Sequence, residues 1–413
     1  MKFGLKTIIA LFGLVSLIGC GNIISSGPSS TDYQVVDKSV ANVKTKDGSQ
    51  VMPFNTIMTL RTFSQKDHDE IFPKFNAEIQ RLHMLFDRYN DFVDAEGNDV
   101  VNLKDVNDSY GKNEVINVDE DLIQLLKFSI ELSSLTEGYF NPTLGELIDT
   151  WNYRYVDGEK YVRFSPYCFD EEDPSVDDIN ISKNKVIPYN ELSNYIIIDD
   201  ENNTVEFKKY NGIEKISLSL GAIAKGYAVE KTKKIVESFN VPAMIDGGSS
   251  SSYGLGQNPN PNRNYWLVGL ASPYKVAMSV QAIATLRFND TYTLSVSGDY
   301  ENCYKNSDGI IRHHILNPYS GYPENYNRVV SLKSTARSEI LDGLSTALFN
   351  IESTSKILEI VDNVEKFFNI DIAVLLEKEV DKANKKIDLY LTDDYDAHIE
   401  QLNSKYCNQK IKM

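Results

Sequence analysis

Cysteine, tryptophan and histidine are scarce in this chain: 413 residues hold four cysteines, two tryptophans and five histidines. Cys168, Cys303 and Cys407 stand at spacings that match no zinc or disulfide framework, and an odd number cannot all pair within the chain. No chemistry is assigned to them. Basic residues are also short, with 42 Lys and Arg against 59 Asp and Glu, for a formal net charge of −17. Such a surface argues against nucleic acid or an anionic membrane face as the main partner. An anionic ligand must then be held by a local basic or metal site.

Long apolar runs are missing as well, and no segment beyond the N-terminal leader has the length to cross a bilayer as a helix. The leader itself is short. Lys2 and Lys6 precede an apolar run at 8–18, and Leu17-Ile18-Gly19-Cys20 has the form of a lipobox cleaved before a cysteine. Residues 1–19 are therefore expected to be a signal peptide, and Cys20 the lipidated N-terminus of the mature chain. That places the protein on the cell membrane, lipid-anchored and facing the extracytoplasmic side, in a periplasm or at the cell exterior. Residues 20–33, rich in Gly, Ser and Pro, read as a flexible tether.

The segment LSLGAIAKGYAVE, residues 218–230, runs from a small-residue turn into an amphipathic helix that carries Lys225 in its first turns. A helix start exposes backbone N–H groups and the positive end of the macrodipole, and a lysine adds a full charge. Such a place suits a phosphate or pyrophosphate. The same residues also suit close packing of a helix on a sheet, and the residues alone leave both readings open. About a hundred positions later, EILDGLSTALF at 339–349 has helical apolar spacing that puts Asp342 and Thr346 four apart on one face. A carboxylate and a hydroxyl converging there suit a hard cation such as Mg²⁺, although an ordinary polar stripe has the same spacing.

Apolar periodicity over 67–90 predicts a long helix ending near Phe86-Asp87-Arg88-Tyr89, and further helices at 119–135, 338–349 and 353–361. Strands are expected at 195–199, 204–208, 243–246, 266–270, 280–287, 292–297, 372–376 and 387–392. Residues 153–190 read as a polar surface insertion with one small helix, and 394–413 as a polar tail after a domain spanning 34–393. Helices and largely antiparallel strands mix without a βαβ rhythm, so the fold class is α+β.

Seven ordered motifs carry a family resemblance. They are FDRY at 86–89, GYFNPTLGEL at 138–147, LGAIAKGYA at 220–228, MIDGG at 244–248, SVSGDYE at 295–301, HHILNPYSGYP at 313–323 and DGLSTALF at 342–349. Together they resemble the ApbE family of FAD:protein FMN transferases. The resemblance implies an ApbE-like, T-fold-related architecture in two intimately packed lobes. It further implies Asp342, Thr346 and the carbonyl of Ala222 as ligands of Mg²⁺, or Mn²⁺. Lys225 and Ser219 would contact the flavin nucleotide, Tyr89 would cover it, and Tyr139, Phe140 and Asn141 would line it. His314 and Ile315 match the family's histidine motif, with His314 or Asp342 as the group that takes the acceptor's proton.

The chain departs from the family pattern at several places. Ser219 stands where an aspartate is usual, Ser345 where a second acidic ligand can occur, and Asn141 and Asn317 where aspartates are common. Phe54-Asn55-Thr56 replaces Met-Gly-Thr. The implied activity is transfer of FMN from FAD to a Thr or Ser hydroxyl of an exported flavoprotein bearing a Ser/Thr-Gly-Ala-Thr site, with release of AMP. Two other readings stay open: an FAD pyrophosphatase giving FMN and AMP, and a non-catalytic, lipid-anchored flavin-binding protein. The lipobox is tested by Cys20→Ala, which is expected to leave an unprocessed or released chain on membrane fractionation. An intact, unlipidated N-terminus in wild-type membranes would contradict it.

Overall fold

The structure is a computed structural model that describes residues 33–157, 159–274, 281–335 and 337–413. The expected signal peptide, Cys20 and the tether up to residue 32 lie outside the described residues. Nine strands form one sheet: β1 Val36–Ser39, β2 Met58–Thr62, β3 Ala243–Gly247, β4 Ser251–Leu255, β5 Tyr292–Gly298, β6 Val329–Ser334, β7 Ala373–Asp381, β8 Lys386–Leu391 and β9 Cys407–Lys412. Each lies beside its predecessor. Every pairing is antiparallel except that of β8 with β9.

Side chains alternate across the strands and feed two apolar cores. In β7, Val374 and Leu376 join one core while Ala373 and Leu375 join the other. The first core is closed by helices α1 Gln65–Phe86, α2 Glu120–Leu135, α4 Ala224–Glu237, α5 Ser338–Phe349 and α6 Thr354–Phe368. The short α3, Gly145–Asn152, packs in a satellite cluster around Leu147 and Trp151. On the opposite face, strands Trp266–Ala271 and Ala282–Phe288 bring in Trp266, Ile283, Leu286 and Phe288. The fold is α+β, as the sequence pattern implies.

Local chemistry sets the element ends. The Ser64 side chain caps α1 by accepting from the Asp67 N–H at 3.1 Å. Pro73 lies inside α1, where proline costs about 3 kcal/mol. Seven buried apolar side chains of the same helix, each contributing ~1.5–3 kcal/mol, outweigh it. The helix stops at Phe86, within the 86–89 segment where its end is expected, because the Asp87 carboxylate accepts from the N–H groups of Tyr89 and Asn90 at 2.6 and 2.8 Å. That local turn competes with helix continuation. α2 begins at the Asp119 cap and ends before Glu137 and Gly138, both at positive φ. α6 runs seven residues beyond its expected end at 361, stopping at Asn369 in the left-handed conformation.

Two expectations are corrected. Residues 394–413 are no tail: Ile399–Leu402 pairs with Ala282–Phe288, and β9 forms the sheet's last strand. An edge strand such as β9 has few apolar residues to reveal it, and buried Tyr395 and Tyr406 anchor the segment instead. Nor are the cysteines without chemistry, since Cys168 and Cys303 form a disulfide across 135 residues of sequence, leaving Cys407 free. The bond ties the 153–190 insertion to the body of the fold. That insertion holds a hairpin, Tyr153–Val156 with Glu159–Val162, and a helix, Val176–Lys183.

Candidate active site

The start of α4 is built by the strand-like segment before it. Asn107 pins Leu218 from both sides, accepting from its N–H at 2.6 Å and donating to its carbonyl at 3.1 Å, while the Ser219 N–H donates to Pro142 O at 2.8 Å. Ile223 occupies the N-cap and supplies no side-chain cap. The cap comes from another helix: Asp342 Oδ2 on α5 accepts from the Gly226 N–H at 2.8 Å. Only glycine permits this approach. A Cβ on residue 226 would stand 2.5 Å from Asp342 Cβ and 2.6 Å from Ser338 O.

Asp342 is buried, and burial raises its pKa; the charge of Lys225, the Gly226 N–H and the Ser251 hydroxyl oppose that rise. Among the described residues no cation forms a direct ion pair with it. Around it lie hydroxyls: Ser345 and Thr346 both donate to Asp342 O, at 3.0 and 3.2 Å, and Ser297 Oγ lies 2.8 Å from Ser345 Oγ and 3.4 Å from Thr346 Oγ1. Ala222 sits half-buried in the turn just ahead of the N-cap, and Lys225 Nζ donates to Gly221 O at 3.2 Å. Among the described residues no group of three or more His, Cys, Asp or Glu side chains gathers. One carboxylate, hydroxyls and a carbonyl are nevertheless hard oxygen donors, and a buried carboxylate with no ion-pair partner fits a hard cation whose shell is completed by phosphate oxygens.

His314 is exposed, and its Nδ1 lies 3.3 Å from Asn302 O. Crowding around the ring, then the charge of Lys225, lowers its pKa from the ordinary histidine value. With Nδ1–H donating to the Asn302 carbonyl, Nε2 is left as the proton acceptor. Its neighbour His313 is committed to structure. That ring is buried, bonds Glu324 O at 2.9 Å through Nε2, and accepts from the N–H of buried Ile315 at 3.3 Å. Asn317 serves its turn by accepting from the Tyr319 N–H at 2.8 Å, a task that needs no charge.

Tyr89 stays 40% exposed, enough for its ring to meet a ligand. Its hydroxyl donates to Asp149 Oδ1 at 2.9 Å, and Arg88 bonds Asp149 Oδ2 at 2.6 Å and Gly145 O at 3.1 Å. The same guanidinium reaches Ser217 Oγ at 3.4 Å, so this arm connects directly to the segment entering α4. Tyr139 lies half-buried, edge-on to Tyr319 at 5.1 Å. Phe140 and Asn141 are placed otherwise than expected for lining residues. Phe140 is buried in the helical core, and the Asn141 amide is consumed by Ile187 O at 2.8 Å and by the N–H and hydroxyl of Thr143 at 2.9 and 2.7 Å. They shape the loop from behind.

Sequence reasoning missed Arg88, Asp149, Ser251 and Ser297 as parts of this region. Arg88 and Asp149 lie inside or beside quoted motifs, but their pairing across 61 residues has no local signal. The Asn55 departure has a physical explanation: it sits at φ 55, a left-handed position where glycine is easiest and asparagine is the tolerated substitute. Gly226→Ala is expected to force α4 and α5 apart and to lower stability by about 1–3 kcal/mol, as overpacking does. Urea unfolding reads this directly, and a wild-type midpoint would contradict the close approach.

A family model described as the ApbE family matches residues 54–368. The chain is 28% identical over 234 residues to an FAD:protein FMN transferase of Vibrio cholerae, covering 56% of this chain and 61% of that protein, which is under two thirds of its length. It is 27% identical over 287 residues to one of Klebsiella pneumoniae, covering 69% and 77%. Among solved structures, flavin transferase ApbE from Vibrio cholerae superposes with a TM-score of 0.63 at 18% identity, covering 89% of this chain and 99% of that one. The ApbE protein from Thermotoga maritima gives 0.60 at 23% identity, covering 83% and 94%. These likenesses support the fold, and the family match spans most of the chain. By that match, over the region that holds Lys225, His314 and Asp342, the chain belongs to the ApbE family.

Proposed function

We propose that the chain is an FAD:protein FMN transferase that moves FMN from FAD to a Ser or Thr hydroxyl of an acceptor flavoprotein and releases AMP. The observation that carries the reading is the bond between Gly226 N–H and Asp342 Oδ2, which brings a buried carboxylate to the same helix start that bears Lys225. A cationic anchor and a cation ligand then serve one pyrophosphate. Asp342, Thr346, and the Ala222 carbonyl would hold Mg²⁺ or Mn²⁺. When bound, that ion would neutralise charge developing on the phosphate oxygens.

The chain's own residues supply the remaining roles. The Lys225 ammonium, at the positive end of the α4 dipole, binds the pyrophosphate and fixes its direction. Tyr89, held by Asp149, lies over the flavin. The acceptor oxygen attacks the phosphorus attached to riboflavin, the bond to the AMP phosphate breaks, and the hydroxyl proton passes to His314 Nε2. A phosphodiester remains on the acceptor. The lipobox ending at Cys20 supports an exported, lipid-anchored enzyme whose acceptor lies on the same side of the membrane.

Incubation with FAD, Mg²⁺ and a flavoprotein bearing a Ser/Thr-Gly-Ala-Thr site is expected to yield AMP and a flavinylated acceptor. AMP without acceptor modification would instead mark a pyrophosphatase, and no AMP a binding protein. Loss of one transition-state electrostatic stabiliser commonly costs ~10²–10³ in rate, which is the loss expected for Asp342→Ala. Asp342→Asn should lose rate similarly while keeping an acceptor for the Gly226 N–H and hence most of the stability. Thr346→Ala should cost less, because water can replace a neutral ligand. Wild-type transfer by Asp342→Asn in limiting Mg²⁺ would remove this carboxylate from the chemistry.

A further inference from the structure

The hairpin strands Tyr153–Val156 and Glu159–Val162 take no part in the chemistry above, yet they carry a distinctive surface. Residues paired across an antiparallel ladder share a face. Tyr153, Val162, Tyr155 and Lys160 therefore lie on one side, and Arg154, Tyr161, Val156 and Glu159 on the other. On the first side Tyr155 and Val162 are 69% and 64% exposed. Tyr153 meets Tyr89 edge-on at 6.5 Å, and Lys160 Nζ lies 3.5 Å from the Tyr153 ring centre and 5.9 Å from that of Tyr89. A face of aromatic and aliphatic groups, with Lys160 among them, thus extends from the residue expected to cover the flavin out to Val162.

Two further features single out this surface. The hairpin is a two-stranded sheet, and among the described residues no third strand pairs with it, so its edges offer backbone donors and acceptors to an extended chain. It also belongs to the segment fixed by Cys168–Cys303, and Cys303 opens the strand pair Cys303–Lys305 with Ile311–His313 that leads directly to His314. The platform is therefore tied to Tyr89 by ring contact and to the His314 strand by the disulfide.

We propose that this face docks the acceptor polypeptide, as an extended segment whose apolar side chains flank the reactive hydroxyl. The proposal rests on the flavin-transfer reading. A protein acceptor must bring its hydroxyl to the reacting phosphate, and the continuity of this face with Tyr89 delivers a bound segment beside the flavin. An edge that pairs main chain to main chain suits a polypeptide and has no use for a lipid surface.

The test compares Tyr155→Asp/Val162→Asp with the opposite-face control Val156→Asp/Tyr161→Asp, all at exposed positions. The substrate is a recombinant flavoprotein domain bearing a Ser/Thr-Gly-Ala-Thr site. The first double variant is expected to raise the KM for that domain at least about tenfold, with kcat and FAD affinity unchanged, and the control to leave KM alone. Surface plasmon resonance of the same domain should show the same loss of binding. Wild-type KM in the first variant, or equal rises in both, would overturn the proposal. So would loss of binding to phosphatidylglycerol vesicles with KM unchanged, which would make the face a lipid contact. If wild type binds the domain through this face but transfers no flavin, the activity falls and the docking surface stands.

Discussion

The hydrogen bond from the Gly226 N–H to Asp342 Oδ2 fixes how two helices meet, and the candidate site follows from that meeting. Without a Cβ at 226, α4 and α5 approach at backbone distance, and the α5 carboxylate becomes the cap that Ile223 does not supply. Asp342 gains a donor for one oxygen in a buried place, where burial raises its pKa and the charge of Lys225 opposes that rise. Burial of an ion without a direct partner is costly. The proposed metal–pyrophosphate pair would supply both signs of charge to this place.

The sheet makes this junction stiff. With both faces covered by apolar cores, β3, β4, β5 and β6 cannot shift without disturbing packing on two sides, and Ser251 and Ser297 enter the site from two of these strands. The second arm is held differently, by polar contacts. Arg88 joins Asp149, Gly145 and Ser217, so the exposed Tyr89 ring is placed by a network that reaches the segment entering α4. The rigid core thus positions the charged groups, and a half-exposed polar network positions the aromatic cover.

Much of this was readable in the sequence wherever periodicity and burial agreed. α5 spans the residues its apolar spacing implies, because nearly all of them are buried, and α2 ends at the Glu137-Gly138 signal. Signals failed where tertiary context decided. Ser251–Leu255, serine-rich at its start, is absent from the expected strands yet is a central strand, fixed by β3 and β5 on either side. β9 is polar because it is an edge. The disulfide and the Arg88–Asp149 pair join residues far apart in the chain, and spacing carries no trace of either. Of the expected site residues, Thr346 bonds the Asp342 carbonyl, the charge of Lys225 acts on both Asp342 and His314, and Phe140 and Asn141 fall behind the surface.

The central claim is that the start of α4 holds a pyrophosphate, and flavin fluorescence on folded variants tests it most directly. If Lys225 neutralises the FAD pyrophosphate, Lys225→Ala should weaken FAD binding by a charge-assisted hydrogen bond, ~1.5–3 kcal/mol, or roughly ten- to a hundredfold. Riboflavin, which has no phosphate, should bind as before. Equal losses for the two ligands, or no loss for FAD, would return this helix to a packing role and contradict the account.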